Sequence, residues 1–284
     1  MAGQKTPSAL GTESIGKLLM QYAVPAIIAM TASSLYNMVD SIFIGHGVGT
    51  MAISGLALTF PLMNLAAAFG SLVGVGASTL ISVKLGQRDY DTAQRVLGNV
   101  FVLNMVLGVA FTIIVMLFLD PILYFFGGSD QTVGYARDYL QIILLGNAVT
   151  HLYLGLNAVL RSSGHPQKAM YATIATVVIN TILDPVFIYG FGLKKYGGDL
   201  AIGAFGIVNR LVFIVVMIVM GLNQGMQPIA GYNFGAKLYG RVNKVLRLTI
   251  IYATAVTTFG FLVGMLVPDL VVGIFTSDAE LTEL

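Results

Sequence analysis

The stretch LLMQYAVPAIIAMTASSLYNMVDSIFI, Leu18 to Ile44, runs for twenty-seven residues with one charge, Asp40. As a helix it would be about 40 Å long, more than the hydrocarbon core of a bilayer requires. Lipid cannot hydrogen-bond a backbone amide, so an uninterrupted apolar run of this length must satisfy its own backbone as a helix. Strands of a membrane barrel would be about ten residues long and alternate in polarity, which this run does not.

Six further runs follow. Met51 to Val83, Val96 to Leu119, Tyr139 to Leu160 and Leu248 to Val267 hold no charge. Ala169 to Leu193 holds only Asp184, and Leu200 to Ala236 only Arg210 near its start. The expectation is an all-α polytopic membrane protein with about seven transmembrane helices. Composition agrees: of 284 residues 56% are hydrophobic and 10% charged, with a mean hydropathy of +0.84. A water-soluble enzyme is excluded on these grounds. A formal charge of +2 leaves no nucleic-acid footprint. The absence of cysteine rules out disulfides and thiolate metal sites.

Lysine and arginine set the expected orientation. Lys5, Lys17, Lys84, Arg88, Arg95, Arg161, Lys168, Lys237, Arg241, Lys244 and Arg247 all fall on one side of the seven spans. The other side receives Arg137, Lys194, Lys195 and the acidic C-terminal stretch with Asp269, Asp278, Glu280 and Glu283. Positive-inside bias puts the N-terminus in the cytoplasm of a plasma (inner) membrane. Residues 1 to 17 are polar and offer no cleavable signal, so the first span is its own insertion signal.

Sliding the chain by 149 positions, from Ala52 to Ala201, aligns Ala52 to Phe101 with Ala201 to Ile250 without a gap. Gly76/Gly225, Gly86/Gly235, Tyr90/Tyr239, Val96/Val245 and Leu97/Leu246 coincide, as do the cations Arg88/Lys237 and Arg95/Lys244. Each copy is a long helix ending in glycine and then a basic turn. Copies of the same orientation are parallel repeats related by an axis along the membrane normal, an arrangement used by transporters whose two lobes rock about a central cavity. Seven spans do not divide into two equal lobes, so the second copy is the shorter.

A carboxylate at the centre of a membrane helix costs about 2.5 to 3.5 kcal/mol on insertion scales, which makes an intramembrane acid a functional candidate. Asp40 lies five residues before Gly45, and Asp184 six before Gly190, so the two acids share a depth. Asn180 stands one helical turn before Asp184; Tyr36 and Asn37 stand on the face of Asp40. Tyr139 and Asn157, in the fourth span, add a hydroxyl and an amide to the same polar network. Carboxylates with amide and hydroxyl oxygens suit a hard cation, and two acids in a low dielectric can share one proton or one sodium ion. A structural alternative has Asp40 bonded to a neighbouring helix and Asp184, before Pro185, only finishing a bent helix end. Pro25 and Pro228 remove helix hydrogen bonds inside spans and mark kinks or gates. Gly70, Gly74 and Gly76 form a small-residue face for close helix packing. His151 reads as a packing residue, and no metal or phosphate motif accompanies it.

Several of these segments resemble the multidrug and toxic compound extrusion (MATE) transporters. Pro25 with Tyr36-Asn37-Met38-Val39-Asp40 and Ile42-Phe43-Ile44-Gly45 resembles that family's first helix. Leu160-Arg161-Ser162-Ser163-Gly164-His165-Pro166 and Asn180-Thr181-Ile182-Leu183-Asp184-Pro185 are similar to its fourth-to-fifth junction and fifth helix. Asn223-Gln224-Gly225-Met226-Gln227-Pro228 and Gly231-Tyr232-Asn233-Phe234-Gly235-Ala236 are similar to its eighth. The resemblance implies a bundle of two six-helix lobes that exports cationic or amphipathic drugs against a sodium or proton gradient. It places the coupling cation at Asp40, Asn180 and Asp184, with Tyr139 and Asn157 around them. It divides the chain into an N-lobe over 1–192, family helices one to five, and a partial C-lobe over 193–284. Leu193 to Gly198 resembles the end of the seventh helix, so a sixth helix and most of a seventh are missing.

The function expected is therefore a secondary antiporter, or an internally shortened version of one, with no cofactor beyond Na+ or H+. Its partners are membrane lipid and a small organic cation or amphipathic drug, with no nucleic acid. The competing readings are a non-transporting membrane scaffold or remnant, and a lipid-linked sugar flippase, which would need cavity cations where only Arg210 offers itself. An enzyme built on the two acids lacks any accompanying substrate motif.

Overall fold

The computed structural model describes residues 9–47, 50–185 and 201–266; side chains are described over somewhat shorter stretches. Nine helices occupy these residues, and no strand occurs among them. They are α1 (Ala9–Thr12), α2 (Ile15–Gly47), α3 (Thr50–Gly86), α4 (Tyr90–Leu117), α5 (Leu119–Phe125), α6 (Val133–Ser162), α7 (Pro166–Pro185), α8 (Ala201–Gly235) and α9 (Tyr239–Leu266). Over the described residues, each of the seven expected spans falls on a helix of 20 residues or more; 186–193, the end of the fifth span, lies outside the described residues. Five stretches are long and apolar enough by themselves to cross a membrane: Ile15–Tyr36, Leu58–Gly86, Tyr90–Leu117, Val133–Ser162 and Tyr239–Val263. The short α1 and α5 carry no span signal and lie outside the sequence expectation.

Helices run past the apolar segments because the polar turns cap them. Asp89 ends the first basic turn by accepting from Thr92 N at 3.1 Å, the N-cap of α4. Lys84 Nζ lies 3.1 Å from the same carboxylate. These contacts, the bonds to Thr92 foremost, hold the Asp89 carboxyl below the usual carboxylate range. At the end of α6, Gly164 takes φ +92 and two bonds close the helix, Gly164 N to Arg161 O and His165 N to Leu160 O, both at 3.1 Å. Pro166 then opens α7 at the position where a missing N–H costs nothing.

The repeat seen in the sequence is a repeat of structure. α4 and α9 are both 28 residues long, and each bound of one is 149 positions from the corresponding bound of the other. The preceding turns match bond for bond. Gln87 N to Val83 O, Arg88 N to Leu85 O and Asp89 N to Lys84 O recur as Ala236 N to Tyr232 O, Lys237 N to Phe234 O and Leu238 N to Asn233 O. Arg88 and Lys237, at φ 62 and 60, are the non-glycine residues with left-handed backbone among those described. Two side chains accepting that conformation at one repeat position mark a turn with a single solution.

α3 and α8 cross with their backbones in contact. A methyl added at Gly86 would run into the carbonyl oxygen of Tyr232, and one at Gly235 into that of Val83. Gly86 and Gly235 are repeat partners, as are Val83 and Tyr232, so the contact is reciprocal about a pseudo-twofold axis. Near that axis a Cβ on Gly231 would lie 2.7 Å from the Cβ of its own repeat partner, Ser82.

Around this crossing α6 packs on α3 and α4, and α2 on α8 and α7. Gly70 and Gly74 face α6, where a methyl on Gly74 would come 2.9 Å from Gly155 Cα. Gly155 in turn lies under the amide of Asn104. The third member of the expected small-residue face departs from it: a methyl on Gly76 meets nothing within 4 Å, because 76 falls on a different side of the helix from 70 and 74. On α8, Gly221 and Gly225 seat α2, with Ile27 Cα 2.7 Å from a methyl placed on Gly221. The repeat-mate stripe on α3, Leu72, Gly76 and Leu80, is exposed. α2, α3 and α8 pass through Pro25, Pro61 and Pro228 without interruption.

These contacts predict opposite responses from glycines at the crossing and a glycine away from it. Gly86→Ala or Gly235→Ala should each lower the melting temperature in detergent, by the equivalent of about 1 to 3 kcal/mol for overpacking. Gly76→Ala should hold or raise it, by up to about 1 kcal/mol from helix propensity. Equal losses at all three positions would contradict the crossing.

Candidate ion-coupling site

The two intramembrane acids lie on neighbouring helices. α2 carries Asp40 and α7 carries Asp184, and the two helices pack against each other. They also start from one face of the bundle: the Tyr22 hydroxyl on α2 lies 3.7 Å from the point where a Gly164 side chain would begin, in the turn before α7. From that shared level Asp40 is 18 residues along α2 and Asp184 is 20 positions beyond Gly164. At 1.5 Å per residue the two backbones rise roughly 27 and 30 Å, a similar depth near the far ends of both helices. The side chains of Asn37, Asp40 and Asp184 lie outside the described residues.

Of the remaining candidates, Asn180 is half-buried on α7 one turn before Asp184, and Tyr36 is half-buried on α2 one turn before Asp40. Tyr139 is half-buried near the start of α6, the end of that helix opposite Arg161. Asn157 is elsewhere. Its Nδ2 donates to Ala169 O at 3.0 Å and Thr173 Oγ1 at 3.4 Å, and its Oδ1 accepts from Arg161 Nη1. Ala169 precedes Asn180 by eleven residues on α7, so Asn157 sits roughly 16 Å along that helix from the expected pocket. Asn157 belongs instead to a network at the Arg161 end of α6, in which Tyr153 also donates to Thr173 Oγ1, at 2.7 Å. Position along a helix could have given this: Tyr139 and Asn157 are five turns apart. Pro25 and Pro228 are both buried, Pro25 on the part of α2 that packs against α8.

Two sets of polar side chains make interhelical bonds that residue type alone does not assign. On α8, Gln227 Nε2 donates to Thr79 Oγ1 at 2.8 Å and to Val75 O at 3.4 Å, and Gln224 Nε2 lies 3.3 Å from Met30 Sδ. One face of α8 thus bonds α3 and the adjacent one α2. Between α4 and α6, Asn147 donates to Gly108 O at 3.1 Å and Thr112 Oγ1 at 3.3 Å, and His151 Nδ1 pairs with Asn147 O at 2.9 Å. The fully buried His151 lies 6.2 Å from the Phe111 ring, in keeping with a packing role. The available signal was a run of uncharged amides at helical spacing within apolar sequence. Among the described residues no cluster of metal ligands occurs.

Known proteins share this architecture. The family described as MatE matches residues 25–186 and again 187–284, so both halves of the chain answer to one pattern. The multidrug export protein MepA of Staphylococcus haemolyticus is 25% identical over 95% of this chain and 76% of its own length. MepA of a Staphylococcus aureus strain is also 25% identical, over 94% and 75%. The S. haemolyticus alignment extends over 343 positions, whereas 95% of 284 residues is about 270, so roughly 70 positions of that relative have no counterpart here. Among solved structures, an outward-facing multidrug resistance MATE family transporter of the MOP superfamily superposes with TM-score 0.87 at 20% identity, covering 99% of this chain and 79% of that one. The MATE multidrug transporter DinF-BH, solved in complex with a small-molecule ligand, is 31% identical with TM-score 0.84, covering 95% and 77%.

The position of Asn157 makes a prediction that separates it from the acids. Asn157→Leu should leave Arg161 without its acceptor in a buried setting and lower the melting temperature, by the equivalent of about 1 to 3 kcal/mol. Any stabilisation by sodium or protons should survive it. Loss of that stabilisation with the melting temperature intact would return Asn157 to the coupling site.

Proposed function

Because the chain belongs to the MATE family of multidrug transporters, we propose that it is a secondary antiporter exporting cationic or amphipathic organic compounds in exchange for Na+ or H+. The observation that carries this reading is the packing of α2 on α7, which sets the helices of Asp40 and Asp184 side by side at a similar depth. Asp40, Asn180 and Asp184 hold the cation, with Tyr36, Asn37 and Tyr139 as neighbouring oxygen donors. Oxygen ligands of this kind are what a hard cation requires. The cation acts by binding one of two bundle conformations more tightly than the other; without that difference it could not drive transport.

A small-molecule substrate is supported by the ligand complex of DinF-BH. The N-lobe is taken as 1–192 and the partial C-lobe as 193–284, with an N-terminus on the cytoplasmic side of the inner membrane. The roughly 70 positions that this chain lacks relative to MepA favour one second reading, a cation-binding remnant that does not transport. A flippase would need basic groups along the cavity, and the side chain of its one candidate, Arg210, is outside the described residues.

Two measurements divide these readings. Sodium, or a fall in pH from 8 to 5, should raise the melting temperature of the purified protein; at a hundredfold excess over Kd, linkage gives about 2.7 kcal/mol. Asp40→Asn and Asp184→Asn should each abolish that response. Proteoliposomes should then release a cationic dye against an imposed ion gradient. Melting that ignores both ions in every variant would refute the coupling site, and a response without dye movement would establish the remnant.

A further inference from the structure

The two basic turns share their backbone hydrogen bonds and differ in what their side chains hold. In the first, Lys84, Asp89 and Thr92 close on one another. Their repeat partners are Asn233, Leu238 and Arg241, which cannot make those contacts. The second turn reaches outward instead. Asn233, fully buried, donates from Nδ2 to Leu10 O at 2.9 Å and to Ile229 O at 2.8 Å. Arg241 donates from Nη2 to Leu10 O at 3.0 Å and Glu13 O at 2.6 Å, and from Nε to Asn233 Oδ1 at 2.8 Å. The carbonyls it holds belong to the end of α1 and the link into α2, where a helix has no partners of its own for them. A guanidinium supplies several donors in one rigid plane and can bridge such acceptors; an ammonium cannot match that geometry.

What lies beneath the held segment is the crossing of α3 and α8. Leu10 is 1% exposed and joins Ile15, Leu18 and Leu19 in a cluster with Leu222, Ile229 and Val245. A methyl on Gly11 would come 3.1 Å from Tyr232 Cε1. Tyr232 also packs against the cluster of Ile81 and Leu85 on α3, and its carbonyl is the atom that faces Gly86.

We infer that Asn233 and Arg241 are positioning residues of the transport cycle: they clamp residues 9–14 and the root of α2 behind Tyr232, and so hold the ends of α3 and α8 together on the basic face. This deepens the antiporter reading and rests on it for its place in a cycle, since these are the bonds that must open before that face can. The side chains Lys84, Asp89 and Thr92 of the first turn bond to one another, whereas Asn233 and Arg241 of the second bind the N-terminal segment.

The chain has no cysteine, so one introduced thiol is a unique reporter. Ser82 is fully buried against Gly231, and a thiol there is shielded while the helices cross. The rate at which a bulky maleimide modifies Ser82→Cys would be measured in nanodiscs, alone and combined with Arg241→Ala, Arg241→Lys, Asn233→Ala or Asp89→Ala. Arg241→Ala should raise the rate about tenfold, the loss expected of charge-assisted bonds. Arg241→Lys and Asn233→Ala should give smaller rises. Asp89→Ala removes the cap of the first turn and should leave the rate unchanged even where it lowers the melting temperature. An unchanged rate in Arg241→Ala, or an equal rise in Asp89→Ala, overturns the clamp. Should Arg241→Ala not fold, a rate for Arg241→Lys equal to the parent's does the same. Dye release from the parent in proteoliposomes is scored separately: its absence refutes transport, while the rates still decide the clamp.

Discussion

The bundle depends on one contact, the meeting of two helix backbones at Gly86 and Gly235. Lipid gives helices no hydrophobic reason to associate, so close backbone approach and interhelical hydrogen bonds must do that work. Here each glycine admits the carbonyl of the other helix, Tyr232 in one direction and Val83 in the other. Because the partners are related by the repeat, one sequence solution is used twice in a single interface. A shared backbone contact of this kind is closed or open with little between, and two-state elements of that sort are what alternating conformations require. Gln227, bonded to Thr79 and Val75 about two turns further into the bundle, adds polar bonds to the same interface.

α2 links this interface to the acids. Its first turns are buried with α8 and α9, through Leu18, Leu19, Tyr22 and Ala23, while its length also packs along α7. One rigid element therefore touches the second hairpin at one end and carries Asp40 at the other. Pro25 sits between the two, buried and without an N–H to donate, so that point of the helix lacks one rung of its ladder. An ion bound near Asp40, as proposed, would have a physical route to the α3 and α8 crossing through packed helix, with no loop in the path.

Much of this was legible from residues alone. Chain solvent, helix number and repeat followed from apolar length and from the coincidence of Gly86 with Gly235, because lipid leaves the backbone a single option. Counting gives Asp40 and Asp184 a similar depth, on helices that pack together; their side chains lie outside the described residues. Residue type alone suits Asn157 to a polar pocket, whereas counting turns puts it five turns along α6 from Tyr139, where it bonds Ala169 O, Thr173 and Arg161. Gly76 was grouped with Gly70 and Gly74 by composition, although only the latter two are one turn apart. The clamp of Asn233 and Arg241 could not be read, since its acceptors are main-chain carbonyls of Leu10 and Glu13, over two hundred positions away, and a carbonyl has no sequence signature.

The repeat explains why that clamp is confined to one half. Both turns must present a left-handed residue and end a helix on glycine, so their backbones are fixed and only side chains remain free to differ. Lys84, Asp89 and Thr92 use that freedom to satisfy the turn locally; Asn233 and Arg241 use it to bind a segment that exists once in the chain. Two equivalent hairpins without such a difference would have no reason to move unequally. With it, the second hairpin carries α1 and the root of α2, and the exposed stripe of Leu72, Gly76 and Leu80 shows the first hairpin carrying no described helix at the equivalent seat. The asymmetry of load, imposed on a symmetric frame, gives the bundle a direction in which to open.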